Sequence, residues 1–275
     1  MKRLLLFIQL LFLTIFAHAT GQESDIIFID GVQWNLLGRP VCADSLLYSN
    51  LKAVLPENRP VATSNWDGFT SYWSVKQDFL CLDSIRCVCY ENGKMVSERI
   101  PNDTMLRVFK QYVEGDRIVA GWLTGKIRVA TGKMIYYMHT GFERNYEEEQ
   151  IISIDKGRVS ELNEFHNYIV DGFSFDKYNP QYYDLRKMFP LNIEQYPELA
   201  DTKRIAFRIK RARVNSQGNL VECELEVIKP NDNPRLAAEI VESLKAYHPW
   251  KVLFVNGEFR AYGIEGYTVP YIIEQ

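Results

Sequence analysis

General acid–base chemistry needs a carboxyl whose pKa is moved by burial or by a neighbouring charge. The stretch with the composition for it follows His139: Glu143, Glu147, Glu148 and Glu149. A run reading Arg-Asn-Tyr-Glu-Glu-Glu-Gln is more often a solvated loop that leads into a strand. No catalytic residue is therefore assigned. His166 and His248 stand alone and read as packed or surface histidines. The sequence holds no Gly-x-Ser-x-Gly, no His-Glu-x-x-His, no P-loop and no dinucleotide fingerprint. A triad scattered along the chain would leave no such trace, so a hydrolase stays open as a third functional reading.

Thiol chemistry is the next candidate. Cys42, Cys81, Cys87, Cys89 and Cys223 make five, so at least one is free or pairs between chains. Cys87-Val88-Cys89 resembles part of a metal site. Zinc takes four ligands, and there is no second pair at ligand spacing and no nearby histidine. No metal and no cofactor are expected. Two cysteines on one face of a strand are the simpler reading, with a bridge to Cys81 across a hairpin left open.

Aromatic side chains offer a binding surface instead of a reaction. Trp66, Tyr72, Trp73, Trp122 and Tyr136 would line a cleft for a sugar or a peptidoglycan fragment if their rings converged. On strands such rings more often pack inside, because burying one is worth a few kcal/mol.

These residues fall on a region of strand patterns. Apolar or alternating runs at 26–29, 69–75, 79–82, 87–90, 118–123, 126–130, 134–138 and 149–154 are separated by Asp67-Gly68, Asn92-Gly93, Thr131-Gly132 and Lys156-Gly157. Helices are expected from Asp44 or Ser45 to Leu55, before Pro56, and over 103–113. Residues 24–170 then form an α+β domain with a curved, mostly antiparallel sheet and one or two helices. Residues 171–200 carry Phe173, Phe175, Tyr178, Tyr182, Tyr183, Phe189 and Tyr196, too many rings to stay solvated. They read as a packed connector, with a short helix starting at Asn179-Pro180.

The last segment, 201–275, reads strand, turn, strand, helix, strand. Over 203–214, Ile205, Phe207 and Ile209 share one face, and Arg204, Arg208 and Lys210 the other. Over 219–228, Val221, Cys223, Leu225 and Val227 oppose Glu222, Glu224 and Glu226. A hairpin through Asn215-Ser216-Gln217-Gly218 would set a basic row beside an acidic one. Asn233 and Pro234 start a helix with an apolar stripe through Leu236, Ile240 and Leu244. Trp250 follows, then Asn256-Gly257, then a closing strand containing Pro270. These positions together resemble the TonB C-terminal domain. Lys251-Val252 stand where that family usually has a proline soon after the tryptophan. The resemblance implies a small ββαβ module, and a partner peptide pairing with the closing strand at Gly266, Tyr267, Thr268, Val269 and Tyr271.

The chain of 275 residues is long enough for two cores, and a net charge of −3 argues against nucleic acid as a partner. Lys2-Arg3, the apolar run from Leu4 to Phe16 and Ala17-His18-Ala19 read as a signal peptide over 1–19, with cleavage after Ala19. No cysteine follows closely, so no lipid anchor and no transmembrane helix are expected in the mature chain. A periplasmic or secreted location follows. A full TonB-type transducer would need an uncleaved membrane helix and a long Pro-rich linker; the 11 prolines here form no tract. The reading is a two-domain, non-enzymatic cell-envelope protein that binds an envelope protein or peptide segment. A periplasmic small-molecule or glycan-binding protein is the alternative.

Overall fold

Two-residue turns with positive φ at both positions set much of the topology, because that hand of turn matches the twist of paired strands. Asp30-Gly31, Gln77-Asp78, Asn92-Gly93, Lys156-Gly157 and Asn256-Gly257 all have this geometry. A computed structural model describes residues 21–178, 183–230 and 233–273. The segment expected as a signal peptide and the helix start at Asn179-Pro180 lie outside the described residues. The chain is a mixed α+β protein, mostly sheet, and divides into two units at Phe165/His166.

The first unit contains β1 (Asp25–Ile29), β2 (Val32–Leu36), β3 (Thr70–Lys76), β4 (Phe79–Glu91), β5 (Lys94–Arg99), β6 (Val113–Glu114), β7 (Arg117–Val119), β8 (Gly125–Tyr137), β9 (Arg144–Asp155) and β10 (Arg158–His166). Helix α1 is Ser45–Lys52, capped by Asp44 accepting from Leu47 N, and α2 is Asn102–Val108. The sheet runs β10-β9-β8-β2-β1-β3-β4 and meets itself again where Arg158 of β10 pairs with Phe79 of β4. Most pairings are antiparallel, as expected; β1 and β3 run parallel. Ile27, Leu36, Trp73, Leu80, Ile85 and Ile152 fill the core with Leu47 and Leu51 of α1.

Two expected strand breaks are absent. The runs at 79–82 and 87–90 are one continuous β4, so Cys81 and Cys87 lie about 20 Å apart along it at roughly 3.3 Å per residue. No disulfide can span that distance, and all five cysteines are unpaired. Thr131-Gly132 is likewise no hairpin turn. It forms a bulge inside β8, where the pairing with β9 shifts between Thr131 and Met134. Helix α2 stops at Val108, and a 3₁₀ turn at Lys110–Tyr112 carries on its apolar stripe.

The second unit contains β11 (Tyr168–Val170), α3 (Leu185–Met188), β12 (Arg204–Val214), β13 (Leu220–Lys229), α4 (Pro234–Ala246), β14 (Val252–Val255), β15 (Glu258–Ala261) and β16 (Thr268–Ile272). Its sheets have the orders β11-β14-β15 and β13-β12-β16. The boundary falls earlier than residue 170, because Tyr168–Val170 pairs with β14. The aromatic connector is part of this unit's core. Phe173, Phe175 and Phe189 surround Trp250 at centroid distances of 5.4, 5.7 and 5.4 Å. Trp250 is fully buried and donates from Nε1 to Leu244 O at 3.0 Å. Its backbone N donates to Gly218 O at 2.9 Å. A Cβ on Gly218 would stand 2.6 Å from Trp250 O, so the turn glycine is required by this approach as well as by its φ of +79°. Asn233 Oδ1 accepts from Leu236 N at 3.0 Å and starts α4 as the sequence implies. Among the described residues no helix is long and apolar enough to cross a membrane.

Candidate functional site: the outer edge of the closing strand

β16 lies at the end of its sheet, antiparallel to β12, with Arg204↔Ile272, Ala206↔Pro270 and Arg208↔Thr268 in register. Ile273 N donates to Lys203 O at 3.0 Å. Antiparallel pairs alternate between hydrogen-bonded and non-bonded. Counting back from Ile273, Tyr271 and Val269 turn their main-chain groups toward β12. Ile272, Pro270 and Thr268 turn theirs outward. Two outward N–H groups, of Thr268 and Ile272, and three outward carbonyls form the edge, since proline has no N–H. Among the described residues no strand pairs with this edge.

This parity divides the residues expected to bind a partner. Thr268 presents an outward N–H and an exposed side chain, and Arg208 Nε donates to its Oγ1 at 3.2 Å. Val269 and Tyr271 are corrected: both residues are 2% exposed and their main-chain groups face β12, so neither offers a main-chain hydrogen bond to an added strand. Tyr271 OH instead donates to Phe189 O at 2.9 Å. Gly266 N is spent on Ile209 O at 2.9 Å. Tyr267 is exposed beside the edge. Ile272 and the Pro270 carbonyl belong to the edge and were missed. Strand alternation counted from a correct register would have found them. At the far end Arg186 Nη1 donates to Ile273 O at 3.3 Å, and α3 packs against β16. The open edge is thus about five residues long.

The wet face of β12 and β13 carries the expected charge ladder, with changes of phase. Arg208 and Lys210 reach Glu226 at 3.7 and 2.8 Å, and Arg213 pairs with Glu222. Irregularities between Ile209 and Arg211, and between Arg213 and Val214, shift the alternation. Val221 is exposed as a result, although the sequence places it on the inner face.

The five rings expected to line a cleft do not converge. Trp73 is fully buried, and its Nε1 donates to Asp25 Oδ2 at 3.1 Å. Trp122 packs against Trp73, Phe109 and Tyr112 and donates to Pro40 O at 2.9 Å. Tyr72 lies on the opposite face of β3 from Trp73, with Arg86 5.8 Å from its ring. Trp66 is 60% exposed on the loop before β3. Tyr136 is half-buried near the end of β8. Adjacent residues on a strand point to opposite faces, so Tyr72 and Trp73 cannot share a cleft.

The acidic run is not wholly solvated. Glu149 is buried in β9, where its carboxylate accepts from Tyr146 N at 2.8 Å and from Asn145 Nδ2 at 3.1 and 3.2 Å. Burial pushes its pKa up, against the opposing pull of these donors and of Arg128. Glu147 accepts from Lys133 N at the bulge, and His139 lies 3.4 Å from Tyr137 OH. Glu149 ties its carboxylate to its own strand, β9, opposite the bulge of β8, with its oxygens already taken.

A second buried charge cluster left no sequence signal, because its members are far apart in the chain. Arg39 donates to Asp25 Oδ1 at 2.5 Å and to Phe69 O, Glu23 O and Asn65 Oδ1. Its Nε lies 3.3 Å from Asp67 Oδ2. Asp67 also accepts from Tyr48 OH. Every guanidinium nitrogen is committed, so this is a clamp on the loop that carries Trp66 and offers nothing to a ligand. Comparison of the chain with protein-family models, with curated proteins and with solved structures finds no match in any of the three.

Proposed function

We propose that this is an exported, non-enzymatic protein of the cell envelope. Its second unit works as a TonB C-terminal-like ββαβ module that receives an extended segment of an envelope protein or peptide. In this reading β12, β13, α4 and β16 are the module, and the β14–β15 hairpin is an addition between its helix and its closing strand. The observation that carries the proposal is the outward edge of β16, with the N–H groups of Thr268 and Ile272 unpaired by any described strand. Strand addition draws its affinity from such main-chain groups. Pro270 limits the edge to two donors, which also guards it against unselective pairing.

The test compares Thr268→Pro with Thr268→Ala in the full mature chain, by capture of partners from envelope extract. The proline variant removes an outward N–H; the alanine variant removes only the side chain. Capture lost in T268P and kept in T268A, with unchanged melting of both, is the expected result. Equal capture by both would remove the edge from consideration. Export is tested separately by N-terminal sequencing of protein from the native host, which should begin near Thr20.

A further inference from the structure

The second edge of β4 is shared among several strands. β10 pairs at Phe79, β7 at Cys81 and Leu82, and β5 from Arg86 to Glu91. Between β7 and β5 the strands diverge and leave Asp83 and Ser84 with no described strand beside them on that side. Crevices open where neighbouring strands part, and one opens here. It has a volume of about 480 Å³ and a floor of Cys81, Leu82, Leu106 and Ile118. That volume lies in the range of small-molecule sites, roughly 300–1,000 Å³.

Its polar wall carries an excess of positive charge. Lys76, Arg99 and Arg117 line it, against Asp83 and Asp116. Lys76 Nζ lies 2.6 Å from Asp83 Oδ1, so those two charges offset each other. The arginines are held by neutral acceptors instead. Arg99 Nη2 donates to Asp83 O at 3.2 Å, and Arg117 Nη1 donates to Gln77 Oε1 at 2.8 Å. Among the described residues each of these bonds takes one nitrogen of a guanidinium at the surface and leaves its other N–H groups unspent. Arg99 also stands directly opposite Arg86 in the β4–β5 register. Like charges in that relation destabilise a sheet. Arg86 turns to the Tyr72 ring, and Arg99 turns to the crevice.

The geometry points to a binding site for a small organic anion in this crevice. Its carboxylate or phosphate would be held by Arg99 and Arg117, and its apolar part would rest on Leu106 and Ile118. Guanidinium groups with N–H groups unspent suit planar, two-point recognition of such groups. The site is separate from the β16 edge and does not depend on it.

The experiment follows arginine Nε–H resonances of the full mature chain by NMR at constant ionic strength. The probes are benzoate, phenyl phosphate and inorganic phosphate. At least one aromatic probe should bind saturably and more tightly than inorganic phosphate. Binding of benzoate alone assigns a carboxylate site, and of phenyl phosphate alone a phosphate site. Arg99→Gln and Arg117→Gln should each weaken that binding at least tenfold, with unchanged circular dichroism. Lys126→Gln, on β8 and outside the crevice, should leave it unchanged. Shifts that never saturate, or that persist in R99Q and R117Q, would overturn the assignment.

Discussion

Pro270 stands opposite Ala206 in a pair whose main-chain groups point away from each other, so the proline nitrogen lies on the free side of β16. Had it fallen one residue earlier or later, it would have removed a hydrogen bond to β12 and weakened the sheet itself. At this position it costs the fold nothing in pairing and takes one donor from the edge. The same parity selects Thr268 and Ile272 as the groups available to an incoming strand.

Trp250 holds the second unit together. It is fully buried among Phe173, Phe175, Phe189 and Tyr247. Trp250→Ala should destabilise that unit by about 3–5 kcal/mol, the usual cost of emptying an aromatic core site. Gly218→Ala should destabilise it too, because a Cβ there meets the Trp250 carbonyl. Two-probe thermal melts would show an early transition for residues 166–275 and an unmoved one for the first unit. A single unchanged transition would mean the aromatic cluster is not the second unit's core.

Asp25 is fully buried and accepts from Arg39, from Ser71 N and from Trp73 Nε1. Asp25→Asn would set an amide N–H₂ against these donors and leave Arg39 without its buried counter-charge. Breaking one member of a buried pair costs about 3–5 kcal/mol. Urea denaturation should show the first unit losing stability on that scale. A loss below about 1 kcal/mol would indicate that water enters the cluster and replaces the carboxylate.

Glu149 gives a pH signature of definite sign. Burial raises its folded pKa, so folding favours the protonated carboxyl. The stability linked to this group is present in full below its unfolded pKa, about 4.3, and is lost as pH rises through the raised folded value. Glu149→Gln should flatten the decline in stability on the way up from about pH 4.3. Stability curves for wild type and E149Q that stay parallel over that window would contradict the burial argument.

Much of the second unit was legible because its signals are local. Asn233-Pro234 start α4, the alternation of β12 and β13 is long enough to read despite its irregularities, and Gly218 and Asn256-Gly257 make turns through their own backbone freedom. Which main-chain groups of β16 face outward was not legible. It depends on register against β12, sixty residues away in the chain. In the first unit Asn92-Gly93 and Lys156-Gly157 announced hairpins, whereas Gln77-Asp78 makes the same turn without a glycine. The long β4 read as two strands because Asp83, Ser84 and Arg86 interrupt its apolar pattern; of these, Asp83 lines the crevice. Trp73 and Trp122 read as candidate ligand contacts because composition cannot say which side of a strand faces the core. The tie between Asp25 and Arg39 joins residues without any shared pattern.

Amide hydrogen exchange at Thr268 and Ile272 tests the central claim most directly, measured on the protein alone and with any partner that it captures from envelope extract. The outward groups of an open edge exchange freely, whereas groups paired to an added strand are protected. The account predicts fast exchange at both amides in the free chain, slow exchange at Val269 and Tyr271 throughout, and strong protection of Thr268 and Ile272 in the complex. Protection of Thr268 and Ile272 already in the free chain would mean the edge is covered. Fast exchange that persists in the complex would place the partner elsewhere. Either result would contradict strand addition at β16.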